Sequence, residues 1–82
     1  MIPSDKRITG RQIAAARTLL GMVQAELASR SAISVPTLKR MEGSEGHAAG
    51  LANNVTAVRA ALEAAGVEFT NGEQPGVRMR KR

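Results

Sequence analysis

Between Gln24 and Glu42 two helix-forming stretches are separated by only three residues, Ser31-Ala32-Ile33. That spacing restricts the chain more than any other feature of it. Helices joined by so short a turn cross at a steep angle, so a small residue is needed where they touch, and Ala28 fits. Ile33 fills the angle, while Leu27 in the first helix and Leu38 and Met41 in the second supply the buried side. Ser34 reads as the N-cap of the second helix, accepting a backbone N–H of its first turn. Pro36 falls in that turn, where its missing N–H costs nothing. The pattern leaves Val35, Pro36, Lys39 and Arg40 on an outer face, flanked by Ser34 and Thr37.

The flanking sequence is organised around this unit. Residues 1–8 read as an N-terminal arm. Thr9 and Gln12 have the capping-box spacing, and Ile13, Ala16, Arg17 and Leu20 then share one face of a helix that Gly21 ends. Residues 43–53 read as a long loop, with three glycines and His47. A last helix is expected from Val55 to Ala65, capped by Asn53 or Asn54 and stopped by Gly66, with Val55, Val58, Leu62 and Ala65 on one stripe. The period then changes. Val67 and Phe69 alternate with Glu68, and Val77 and Met79 with Arg78 and Arg80, around the turn formers of 70–76. Three segments follow: the arm at 1–8, a helical domain at 9–66 and a C-terminal β element with a basic tail at 67–82. The expected class is all-α, four helices, with a short C-terminal strand pair or hairpin.

Composition decides what holds such a fold together. Of the apolar 43% of 82 residues, fourteen are alanine, and there is one Phe with no Trp or Tyr. A core this thin leans on disulfides, metals or self-association. There is no cysteine and one histidine, so disulfides are excluded and neither a metal nor another cofactor is expected. A homodimer is the expected staple, with Val67, Phe69, Val77 and Met79 pairing strands across chains. No apolar run reaches the 18 or so residues of a membrane span, and the N-terminus lacks the apolar stretch of a signal peptide. The cytoplasm is the expected compartment, with no membrane partner. The formal charge is +5, yet residues 1–77 carry eight basic and seven acidic groups. A polyanionic partner therefore has to be argued from the body of the domain.

At Leu20-Gly21-Met22-Val23-Gln24-Ala25-Glu26-Leu27-Ala28, and again over Ser34 to Glu42, the chain resembles the phage repressor and Cro-like helix-turn-helix family, the xenobiotic-response-element family. The resemblance covers about residues 9–65. It implies a sequence-specific regulator of transcription that binds double-stranded DNA. The helix starting near Ser34 would lie in the major groove, and Gln24 would start the preceding helix at a phosphate. It also implies an ion pair between Arg17 and Glu42, structural rather than DNA-contacting. Ala32 departs from the glycine usual in the tight turn, and Val23 from the usual polar N-cap. On the reading face Val35 and Pro36 suit thymine methyls, Arg40 suits bidentate contact to guanine, and Lys39 a base or a phosphate. Ser34 and Thr37 complete the DNA-binding set.

The expectation is a homodimeric repressor on an inverted repeat, with half-sites roughly 34 Å apart. An enzyme is a poor reading: no carboxylate pair, nucleophile constellation or phosphate-cradling glycine loop is evident. The rivals are protein-docking modules of the same fold, an antiactivator or an antitoxin, which would use a protein partner.

Overall fold

Thr9 and Gln12 close a reciprocal cap: the Gln12 amide donates to Thr9 Oγ1 at 3.0 Å, and Gln12 Oε1 accepts from the Thr9 amide at 2.8 Å. In the computed structural model, which describes residues 7–70 and 75–80, this cap starts α1 (Gly10–Leu19). Then follow α2 (Gln24–Ser31), α3 (Val35–Glu42), α4 (Ala52–Ala64), β1 (Val67–Thr70) and β2 (Gly76–Met79). The chain is mostly helical, four helices and one two-stranded antiparallel hairpin, rather than strictly all-α. No helix among the described residues is long and apolar enough to cross a membrane.

α1 and α2 end in the same way. The Gly21 amide donates to the Thr18 carbonyl and the Met22 amide to the Arg17 carbonyl, each at 3.0 Å. One helix later the Ala32 amide donates to Ser29 at 3.2 Å and the Ile33 amide to Ala28 at 3.0 Å. Both are Schellman caps, which need one left-handed residue. Gly21 (φ 66°) and Ala32 (φ 57°) supply it. Glycine does so at no steric cost, whereas alanine brings its Cβ against a carbonyl.

The core draws one or more side chains from each helix: Ile13 and Ala16 of α1, Leu27 and Ala28 of α2, Leu38 and Met41 of α3, Val58 and Leu62 of α4. Met22, Val67 and Ile8 complete it. Ile8 is a correction, because the sequence places it in the arm. It is 1% exposed, and its carbonyl accepts from the Ala48 amide at 3.0 Å. The Gly10 amide donates to Gly46 at 3.2 Å, and Thr9 bridges His47. The long loop after α3 is therefore pinned to the residues that precede α1.

α4 also begins earlier than expected. Leu51 is its N-cap, with no side-chain hydrogen bond, so Asn53 and Asn54 lie within the first turn.

β1 and β2 pair within one chain, in the register Val67↔Met79, Glu68↔Arg78, Phe69↔Val77 and Thr70↔Gly76. The four residues expected at a dimer contact thus pair within one chain, as the hairpin that the sequence also allows. Val67 is fully buried in its own domain and has no surface to offer a partner. Phe69 and Val77 are half-buried against the core, with the Arg59 guanidinium 5.6 Å over the Phe69 ring. Met79 alone of the four is well exposed, at 48%.

Candidate nucleic-acid interface

α3 is held by its ends and by one face. Ser34 Oγ accepts from the Thr37 amide at 3.2 Å and lies 2.8 Å from Thr37 Oγ1. The two hydroxyls thus engage each other at the start of the helix. Leu38 and Met41 are buried, and Val35 packs against the same core from a half-buried position. With 3.6 residues per turn, the opposite stripe falls to Pro36, Lys39 and Arg40, and all three are exposed. Seven residues were expected to touch DNA. The structure gathers Pro36, Lys39 and Arg40 on one outer stripe, puts Ser34 and Thr37 at its leading end and turns Val35 partly inward.

Gln24 is placed differently. Its Nε2 donates to Glu42 Oε1 at 3.1 Å. The same carboxylate accepts from Arg17 Nε at 2.8 Å and Arg17 Nη2 at 3.1 Å, while Arg17 Nη1 donates to the Met22 carbonyl at 3.0 Å. The Glu42 side chain is 8% exposed and that of Arg17 21%. Arg17 on α1, Gln24 at the start of α2 and Glu42 at the end of α3 thus meet at one carboxylate. Its oxygens accept three N–H bonds, which is what a nearly buried charge requires. The Gln24 side chain thus joins an intramolecular cluster at the start of α2 rather than standing free there.

The cations sort sharply. Arg17, Arg30, Arg59 and Arg78 form ion pairs with Glu42, Glu26, Glu63 and Glu68. Arg80 Nη2 donates to the Glu63 carbonyl at 3.0 Å, so the described part of the basic tail folds back on the domain. Lys81 and Arg82 lie outside the described residues. Arg7 is engaged as well. Among the described residues, Arg11, Lys39 and Arg40 are the cationic side chains left without an intramolecular partner, and all three are exposed. Two of them sit together on α3.

Arg11 was missed in the sequence, where one arginine in an amphipathic helix looks like another. The only available signal was the absence of an acid three or four residues away. Compared with protein-family models and with curated proteins, the chain matches none.

Proposed function

We propose that this protein is a sequence-specific double-stranded DNA-binding regulator of transcription, in which α2, the turn and α3 act as a helix-turn-helix. The observation that carries the reading is the outer stripe of α3. Lys39 and Arg40 stand there unpaired, two of three such cations among the described residues with Arg11 of α1, while Arg17, Arg30, Arg59 and Arg78 are neutralised by neighbouring acids. A cation kept clear of internal acids is available to a phosphate or a base edge. A bare α-helix stripe fits the major groove, which is about 12 Å wide. The turn of three residues between Ser31 and Val35 supports the same reading, as does the resemblance to Cro-like repressors.

In this reading α3 enters the groove with Pro36 against thymine methyls and Arg40 on a guanine edge, and Val35 adds apolar contact from its half-exposed side. Lys39, Ser34 and the first N–H groups of α2 hold the backbone. The protein binds rather than catalyses and uses no cofactor. Two copies on an inverted repeat, acting by occupying a promoter, are the working form proposed.

Selection of bound sequences from a random duplex pool tests this at about 100 mM salt, where phosphate contacts alone are already weakened. Enrichment of a palindromic site is the expected result. A pool that stays random overturns the reading.

A further inference from the structure

We infer that the outer edge of β2, together with the groove it forms against α1, takes an extended acidic peptide segment of a partner protein as an added strand. This inference is independent of the DNA reading.

The backbone of the hairpin decides which groups face outward. The Arg80 amide donates to the Gly66 carbonyl at 2.7 Å, one step beyond the Val67↔Met79 pair. In an antiparallel ladder this makes Val67↔Met79 a pair that exchanges no hydrogen bonds, and by alternation Phe69↔Val77 is another. The N–H and C=O groups of Val77 and Met79 therefore point away from β1. No described group bonds them. Such an edge is a template for strand addition.

Beside it lies a groove of about 410 Å³, lined by Arg11 and Ala15 of α1 and by Pro75, Gly76 and Val77. An added strand would place alternate side chains over Val77 and Met79, facing the helices, and the others beside Arg78 on the open face. The first set meets Ala15, Pro75, Val77 and the half-exposed Met79, which suits apolar residues. The second set meets Arg78, whose side chain is 70% exposed although its Nε is paired with Glu68 at 2.8 Å, so that its terminal nitrogens are what an added acid would reach. At the α1 end stands the unpaired guanidinium of Arg11, and no acidic side chain lines the groove among the described residues. The complement is a strand of alternating apolar and acidic residues.

A second copy of this chain is a poorer occupant. A two-fold pairing of β2 with itself centred on Arg78 sets Arg78 opposite Arg78, and one centred on Met79 sets Arg78 opposite Arg80; like charges directly opposite are destabilising. A pairing centred on Val77 sets Met79 opposite Pro75, which has no N–H to donate.

The test is an amide-shift titration of the full chain with two capped pentapeptides, Glu-Val-Glu-Val-Glu and Lys-Val-Lys-Val-Lys. The expected result is that the acidic peptide shifts the Val77 and Met79 amides and slows their hydrogen exchange, while the basic one does neither. Arg11→Glu should weaken the acidic peptide at least tenfold with an unchanged thermal melt, and Arg11→Lys should retain most of the binding. No shift at millimolar acidic peptide overturns the inference, as does equal binding of the basic peptide. So does protection of Val77 and Met79 that grows with protein concentration alone, which would identify a second copy as the occupant. Should Arg11→Glu fail to fold, the two wild-type titrations still decide.

Discussion

Gln12 Nε2 donates to the carbonyl oxygen of Gly76 at 3.0 Å, across 64 residues of sequence, and to that of Thr70 at 3.2 Å. The same side chain caps α1 through Oε1. One buried amide thus starts the first helix and ties the mouth of the hairpin to it.

A glutamate separates those two roles. Glu at this position completes a capping box as well as Gln does, but it has no N–H to donate. Gln12→Glu would turn a carboxylate toward two carbonyl oxygens. It should therefore destabilise at least as much as Gln12→Ala, about 2 kcal/mol for a buried polar group stripped of its partners. Urea unfolding measures both, and the loss should include exchange protection in β1 and β2. A Gln12→Glu variant as stable as wild type would mean that the tether contributes nothing.

Gly10 presents a conflict between helix propensity and space. Alanine in a helix is favoured over glycine by about 1 kcal/mol. A Cβ at Gly10, however, would stand 3.0 and 3.1 Å from the carbonyl oxygens of Glu42 and Ser44, and closer still to that of Met41. All three are backbone atoms at the end of α3 and cannot rotate away. Overpacking of this kind costs about 1–3 kcal/mol, so Gly10→Ala should come out destabilising, with a lower thermal midpoint. A raised midpoint would show that α1 slides freely on α3.

Ala32 offers the opposite case. It holds a left-handed conformation that the equivalent cap of α1 gives to Gly21. Ala32→Gly should stabilise by about 1 kcal/mol, less the greater chain entropy of glycine when unfolded. In a domain of this size that is a rise of several degrees, on the order of 4–8 °C per kcal/mol, in thermal midpoint. A fall would mean that the Ala32 methyl packs usefully.

The local signals of the sequence account for most of the helical frame and little of what joins it. Capping at Thr9, Gln12 and Ser34, the stop at Gly21 and the apolar spacing of Leu27, Leu38 and Met41 depend on neighbours within a turn or two, so they are readable in the chain. Ile8 is buried because its carbonyl meets Ala48, forty residues away, and nothing near Pro3 and Arg7 announces it. Asn53 and Asn54 are good caps in isolation, yet the loop pinned at His47 and Ala48 feeds α4 in at Leu51. The alternation in Val67–Phe69 and Val77–Met79 marks two strands, but alternation carries no information on whether they pair within one chain or between two. On the candidate interface, the outer stripe of α3 follows from its 3.6 period. The turning of Gln24 toward Glu42 depends on where α3 ends in space.

That carboxylate can be tested by its donors. Removing the charge with Glu42→Gln leaves the Arg17 guanidinium, largely enclosed, without its counterion, and breaking a buried pair in this way costs about 3 kcal/mol or more. Gln24→Ala removes one neutral donor and should cost about 1 kcal/mol. Urea midpoints of both single variants and the double variant should show them non-additive, because they share one acceptor. A cost below about 1 kcal/mol for Glu42→Gln would place the pair with ordinary surface ion pairs.

Lys39 and Arg40 should separate once a duplex site is in hand. A lysine on a phosphate contributes equally to every sequence, so Lys39→Ala should weaken all duplexes alike and reduce the slope of log affinity against log salt by about 1. An arginine on a guanine edge contributes only where that guanine is present. Arg40→Ala should therefore cost about 1–3 kcal/mol on the selected site and relax preference at one position per half-site. Arg11, on a different helix, supplies the control: Arg11→Ala should leave that preference intact. Equilibrium binding at three salt concentrations, on the selected duplex and on one with the guanine replaced, gives both quantities. If Arg40→Ala lowers affinity for the two duplexes equally, then Arg40 is a phosphate ligand, and base reading falls to Pro36, Val35 and the remainder of the α3 stripe.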